Sequence, residues 1–178
     1  MLTIGDKFPD YNIKGVTSND MSGFQTFSSE ADSNKWKVFF FWPKDFTFIC
    51  PTEIEEFAKL NDDFNNEDAV LYGVSTDSEF VHMAWRKSHP GLSSLPFPML
   101  ADITRELSWE LGVLHRDEGV CLRATYIVDP EGMIRHVSVN DLDVGRNPQE
   151  TLRILKGLRA GGLMPCNWQP GEDALNVA

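Results

Sequence analysis

A threonine and a cysteine three residues apart, Thr47 and Cys50, stand between Pro43 and Pro51 directly after the apolar run Val38-Phe39-Phe40-Phe41-Trp42. A thiol in that position can act as a nucleophile, provided that its surroundings favour the thiolate. A cysteine thiol of ordinary pKa ~8.5 is about 3% ionised at pH 7, and lowering the pKa to ~6 raises that fraction roughly thirtyfold. Nucleophilicity falls with basicity, however, and a Brønsted slope of ~0.45 takes back about a factor of 13. Ionisation alone therefore gains only about two- to threefold. A fast thiol reaction needs further groups that orient the target bond and stabilise charge on its leaving atom.

The surrounding elements follow from pattern. The run from Val38 to Trp42 has no polar interruption and ends at Pro43, as expected of a central strand buried on both faces. A helix is expected from Pro51, where a missing N–H costs nothing, with Thr52 and Glu55 at capping-box spacing. Its first-turn N–H groups and dipole should then favour negative charge on the Cys50 sulfur. Glu53, Glu55 and Glu56 suit the dipole yet oppose that charge, so nearby cations must outweigh them. Ile54, Phe57, Ala58 and Phe64 continue the helical spacing. Val70 to Val74 reads as a second strand, and a second helix follows with Phe80, Val81, Ala84 and Trp85 on one side. Pro90 to Pro98 reads as loop, Met99 to Ala101 as a short apolar piece, and Arg105 to Leu111 as a helix stopped by Gly112. Cys121 to Val128 and Met133 to Val139 read as strands joined by the turn Asp129-Pro130-Glu131-Gly132. A last helix is expected from Pro148 to Leu158.

The 178 residues are enough for one domain with a core that needs no staples. There is no repeat, no low-complexity block and no stretch with linker composition. The formal net charge of −11 argues against nucleic acid and anionic membrane surfaces as partners. The odd number of cysteines, three, and the lack of a leader-like or membrane-spanning apolar run point to a cytoplasmic protein whose thiols are catalytic, sensing or inert. His82, His89, His115 and His136 have no metal-site spacing.

The spacing Pro43-x3-Thr47-x2-Cys50, continued by Pro51-Thr52-Glu53, resembles the active-site signature of the peroxiredoxins, in particular the typical two-cysteine branch. The resemblance runs from Leu2 to Gly171 and is strongest to the C subunits of bacterial alkyl hydroperoxide reductases. It implies a mixed α/β thioredoxin-like fold, with an added N-terminal hairpin between Thr3 and Thr26. Residues 1–160 would form the catalytic domain and 161–178 a C-terminal arm. It also implies a thiol peroxidase that needs no metal or flavin of its own. Cys50 would attack the peroxide, Thr47 would accept from the peroxide hydroxyl, and Pro43 would shield the sulfur. Arg123, in Leu122-Arg123-Ala124-Thr125, would supply fixed positive charge, with Glu53 and Arg146 holding it in place. The family's resolving cysteine comes from the C-terminal region of a second subunit, which designates Cys166. It usually lies four residues before a tryptophan, where this chain has Met164. Cys166 is two before Trp168, as in a subset of bacterial members with cysteines at both places. The segment Ser75 to Val81, with Phe80 and Val81, together with Trp85, resembles the surface through which family dimers join into rings of ten. Cys121 has no family role and is expected to be a buried bystander.

Two further departures bear on behaviour. Gly91-Leu92-Ser93-Ser94 stands where oxidation-sensitive members carry Gly-Gly-Leu-Gly, and only 10 residues follow Trp168, with no Tyr-Phe pair. Both imply an arm that releases easily and a thiol that resists overoxidation. The reductant would be thioredoxin, a flavoprotein or a small dithiol adaptor. A thiol–disulfide oxidoreductase is the rival enzyme, but Glu53 stands where its second cysteine is needed. A peroxide sensor or chaperone-like ring is the rival from another class.

Overall fold

The computed structural model describes residues 1–176. Seven strands form one sheet in the order β2-β1-β5-β4-β3-β6-β7. At its centre, β3 (Trp36–Phe41) runs parallel to β4 (Ala69–Ser75), which is parallel to β5 (Met99–Ala101). On the other side β3 pairs antiparallel with β6 (Arg123–Val128), and β6 with β7 (Ile134–Asn140). The parallel crossovers are helical, as parallel pairing requires. The first carries α1 (Cys50–Lys59) and α2 (Asn61–Asn66), the second α3 (Glu79–Ser88). After β5 come α4 (Glu106–Leu111) and, past β7, α5 (Pro148–Ala160).

The unbroken apolar run is explained by two cores. Val38, Phe40 and Trp42 point into one core with Cys50, Ile54, Phe57, Trp85 and Leu155, and the Phe40 and Phe57 rings stack at 4.1 Å. Phe39 and Phe41 alternate to the opposite core, against Phe8, Tyr72, Tyr126 and Leu111. The strand that ends beside Cys50 is thus gripped from both faces, which makes it a rigid mount for the loop that follows.

Several expectations are corrected. The added hairpin is β1 (Asn12–Val16) with β2 (Phe24–Ser28), displaced from the expected span, and β1 extends the main sheet by pairing with β5. Residues before it instead bond to the β6–β7 turn, through Gly5 N to Ile134 O and Phe8 N to Gly132 O. The first helix begins at Cys50 itself and breaks at Leu60, leaving Phe64 in α2. The capping box is absent. The Thr52 hydroxyl donates to Ile49 O at 2.6 Å, because Ile49 already has helical backbone angles and its carbonyl collects the first-turn donors. On α3 the buried side is Glu79, His82, Trp85 and Arg86, whereas Phe80 is exposed, Ala84 is exposed and Val81 is half-buried. Polar residues won that face because each found a partner, Arg86 donating to the carbonyls of Thr17, Leu95 and Phe97. Arg105 caps α4 in the left-handed region at φ 63° instead of joining it, while Gly112 ends that helix as expected. Cys121 precedes β6 and forms an isolated bridge with Leu114, and α5 runs two residues beyond Leu158.

Candidate active site

The segment from Pro43 to Ile49 carries the chain from β3 to α1, and it is held from below. The Asp45 carboxylate accepts from Trp42 Nε1 at 2.8 Å and meets His82 Nδ1 at 2.6 Å, while the Asp45 amide donates to Asp77 Oδ2 at 2.9 Å. His82 is fully buried, and its Nε2 lies 3.1 Å from the Leu100 carbonyl, which can only accept. Nε2 therefore carries a proton, and a second proton lies between Nδ1 and Asp45. Burial pulls the His82 pKa down, but the Asp45 carboxylate outweighs it and holds the imidazole above its ordinary value. Phe46, next in the chain, takes φ 57°, a conformation that costs a non-glycine residue roughly 1–2 kcal/mol. The bonds to Asp45 and the Phe46 ring against Trp85, 5.9 Å away, hold it there.

This loop sets Thr47 Oγ1 3.0 Å from Cys50 Sγ and 2.9 Å from the Lys44 carbonyl. One hydroxyl proton serves two acceptors. With a thiol at Cys50, it goes to Lys44 O and the S–H points to Thr47; with a thiolate, it turns to the sulfur. Cys50 is wholly buried as the first residue of α1. Its second donor is Arg123 Nη1 at 3.4 Å, from β6. No backbone N–H of the first turn donates to the sulfur among the described residues. Thr52 N and Glu53 N are taken by Ile49 O, which corrects the expectation of helix N–H groups aimed at the thiol.

The arginine is itself fixed. Arg123 Nη1 donates to Glu53 Oε2 at 2.8 Å, and its Nε to the Leu142 carbonyl at 2.7 Å. Arg146 grips the same carboxylate with Nε and Nη2 at 2.8 and 2.9 Å, adds a backbone bond to Oε1, and spends Nη1 on Ala124 O. Its guanidinium lies over the Phe40 and Phe57 rings. Burial works against the Glu53 carboxylate, yet Arg146 and then Arg123 hold its carboxyl below the usual range. Two buried cations and one carboxylate leave a net positive charge beside the sulfur. Above them opens a cleft of about 280 Å³ whose lining includes Pro43, Thr47, Phe48, Arg123 and Leu142.

The structure thus gathers Pro43, Thr47, Cys50, Glu53, Arg123 and Arg146 into one site. It does not bring Cys166 there. That exposed cysteine lies in a separate groove along α5 with Arg135, Arg153, Met164 and the buried Trp168. Phe80 is 53% exposed and packs edge-on against Phe24 at 4.9 Å, with Val81 half-buried beside it. Cys121 is fully buried against the Ser108 hydroxyl at 3.2 Å, and burial pushes its thiol up to about 12. Asp45, Asp77 and His82 are the supporting residues that the sequence did not single out. An acid three residues after Trp42 and a histidine one turn before Arg86 were the only available signals. Among the described residues, no three His, Cys, Asp or Glu side chains are grouped to hold a metal ion, and no helix is long and apolar enough to cross a membrane.

A buried cysteine at the start of a helix, touched by a threonine hydroxyl and a carboxylate-anchored arginine, defines a peroxiredoxin-class thiol site on a thioredoxin-like sheet. The AhpC/TSA family matches residues 4–137, and the chain belongs to that family. Alkyl hydroperoxide reductase C of Mycolicibacterium smegmatis is 48% identical, over 99% of this chain and 95% of that protein. Among solved structures, Mycobacterium tuberculosis AhpC superimposes with a TM-score of 0.87 at 50% identity, covering 95% of this chain and 99% of that one. The reduced 2-Cys peroxiredoxin of Plasmodium vivax gives 0.90 at 32% identity, covering 97% and 92%.

Proposed function

We propose that this chain reduces hydrogen peroxide and small organic hydroperoxides, using Cys50 as the peroxidatic thiol. The observation that carries the reading is the contact of Cys50 Sγ with both Thr47 and Arg123, inside a buried cluster whose net charge is positive. The thiolate attacks the nearer peroxide oxygen. The S–O bond forms as the O–O bond breaks, sulfur is oxidised by two electrons, and the departing hydroxide or alkoxide takes a proton to leave as water or alcohol. Thr47 orients the peroxide and Arg123 stabilises the charge that moves onto the leaving oxygen. Pro43 closes one side of the sulfur without offering a donor.

The Cys50 sulfenic acid then condenses with the Cys166 thiol of a second subunit, releasing water and forming a disulfide. An external dithiol protein, whether thioredoxin, a flavoprotein-linked partner or a small adaptor, reduces that disulfide to two thiols. Residues 161–178 act as the arm that delivers Cys166, and 1–160 as the catalytic domain. The assembly is a homodimer, with Phe80 and Val81 on the surface that joins dimers into a ring, and the protein works in the cytoplasm. Treating reduced protein with one equivalent of hydrogen peroxide tests the scheme. Wild type should give a Cys50–Cys166 linked dimer on a non-reducing gel, and Cys166→Ser a trapped Cys50 sulfenic acid by mass spectrometry. A cross-link that survives Cys166→Ser, or none in wild type, would overturn the resolving assignment.

A further inference from the structure

The cleft above the arginine cluster has two kinds of lining. Its walls are apolar, from Pro43, Phe48, Ile49 and Leu142, while Thr47 and Arg123, which touch the sulfur, close its inner end. Its outer edge carries three exposed charged residues, Lys44, Glu118 and Asp143. Lys44 is the one outer cation, and it is already taken, with Nζ 2.6 Å from Glu118 Oε2. The pair bridges the Cys50 loop to the turn before β6, 74 residues further along the chain. That turn is itself held: the Gly119 carbonyl accepts from Arg105 Nε at 2.8 Å, and the Glu118 amide donates to His115 Nδ1 at 3.3 Å. Glu118 is therefore presented to the cleft from a bonded turn, opposite a lysine whose own carbonyl accepts from Thr47.

Counted together, the charges along the path to the sulfur are negative. Arg123 and Arg146 are balanced by Glu53 and, in the reactive state, by the Cys50 thiolate. Lys44 is balanced by Glu118, which leaves Asp143 over. Arg116 and Asp117, next to Glu118 in the turn, cancel and do not line the cleft, and Asp141, also outside the lining, adds to the negative side. No cation is left to meet a substrate that brings a negative charge of its own, so such a substrate is repelled as it enters. A neutral hydroperoxide meets no such opposition, and its carbon body gains from contact with the apolar walls.

We propose that Glu118 and Asp143 make the mouth of this cleft a charge filter, which passes neutral alkyl hydroperoxides and slows those that carry a carboxylate. Glu118 acts twice, through its own charge and by holding Lys44 away from the substrate. The inference rests on Cys50 being the peroxidatic thiol and adds to that reading which hydroperoxides the site prefers. Two substrates of nearly one shape test it: cumene hydroperoxide bearing a para-carboxylate, and the methyl ester of the same compound. The quantity read is the ratio of kcat/KM for the carboxylate to that for the ester within each protein, so that a general loss of activity divides out. At low ionic strength wild type should reduce the carboxylate about two- to sixfold more slowly, the range for one unit charge about 8 Å away at effective dielectric constants of about 80 to 40. Glu118→Gln and Asp143→Asn should each raise the ratio by a similar factor, and Lys44→Gln should lower it. The differences should shrink in 1 M salt, where the screening length is about 3 Å. If the ion pair served only to hold the loop, Glu118→Gln and Lys44→Gln would move the ratio the same way, because each breaks the same contact. Movement in the same direction, or equal rates for carboxylate and ester in wild type, would overturn the filter while leaving the peroxidatic reading in place. Failure of wild type to reduce either compound or hydrogen peroxide would overturn that reading, and the filter with it.

Discussion

At Cys50 the count of charges explains more than any single contact. Arg123 and Arg146 share one carboxylate, Glu53, and the three are buried together. A negative sulfur, or a negative oxygen leaving it, brings the cluster to neutrality. Glu53 therefore acts through the arginines, and Glu53→Gln would leave two buried guanidiniums with one neutral partner. Breaking a buried pair in this way costs about 3–5 kcal/mol. Denaturant midpoints should show the loss at neutral pH. Because the Glu53 pKa is depressed, its contribution is present above the ordinary carboxylate range of about 4.3 and disappears as pH falls through the lower folded value. The difference between wild type and Glu53→Gln should thus narrow in acid. Thr47 makes a separate contribution: Thr47→Val keeps the shape and loses the hydroxyl, and peroxide kcat/KM should fall by about 10²-fold, the scale for one positioned catalytic donor. Thr47→Ser should recover most of it; equal rates for valine and serine would argue that the hydroxyl has no role. Thr47, Cys50 and Glu53 were legible in the sequence because they share one short spacing. Arg123 and Arg146 were legible only through family resemblance, since 73 residues of chain separate Cys50 from Arg123 and no local pattern spans them.

The elements matter because the site loop has no regular hydrogen bonding of its own between β3 and α1. It borrows rigidity from α3 through Asp45–His82 and from the β4–α3 connection through Asp77. This support was not legible. Helical periodicity assigned the inner face of α3 to Phe80, Val81, Ala84 and Trp85, and of these the fold buries only Trp85; it turned His82 and Arg86 inward with it, where each meets a specific carbonyl or carboxylate from a distant element. Apolar spacing cannot register a partner that arrives only on folding. By contrast, β3, β4, β5 and α5 were read nearly at their true bounds, because their patterns are set by burial alone. The shared proton between Asp45 and His82 has a measurable consequence. Burial works against the charged imidazole, but the Asp45 carboxylate outweighs it, so His82 holds its proton more tightly in the folded state. The folded chain then binds more protons than the unfolded one, so the stabilisation is complete below the ordinary histidine value of about 6.5 and is lost as pH rises through the raised folded value. Asp45→Asn keeps the bond to Trp42 and can donate to a neutral His82, so its stability should respond less to alkali than that of wild type. Parallel alkaline slopes for the two proteins, by chemical denaturation, would show that another group titrates.

For the whole molecule, the question is how a buried sulfur and an exposed one, in separate grooves, come to react. Cys166 is carried on a segment that has no helix or strand through residue 176, and from Gln169 to Asn176 every residue is exposed. Trp168 is its one buried residue: Arg153 Nη1 of α5 donates to the Trp168 carbonyl at 3.0 Å, while the indole N–H bonds to Glu172 O at 2.9 Å within the segment itself. Few contacts must break for the arm to leave α5, so its local opening lies at the low end of the stability range. In the proposed scheme overoxidation is a race: a second peroxide turns Cys50 sulfenic acid into sulfinic acid unless Cys166 of a second subunit arrives first. An arm joined to α5 by one buried ring and one hydrogen bond favours Cys166, as does the Ser93-Ser94 in place of a glycine motif. Wild type under steady turnover should therefore accumulate little Cys50 sulfinic acid by mass spectrometry, even at peroxide well above the enzyme concentration. Cys166→Ser, which removes the competing thiol without touching the Cys50 site, should accumulate it readily. Equal sulfinic acid in the two proteins would mean that arm release, not peroxide encounter, sets the pace, and that the weak hold of α5 on the arm does not speed its delivery.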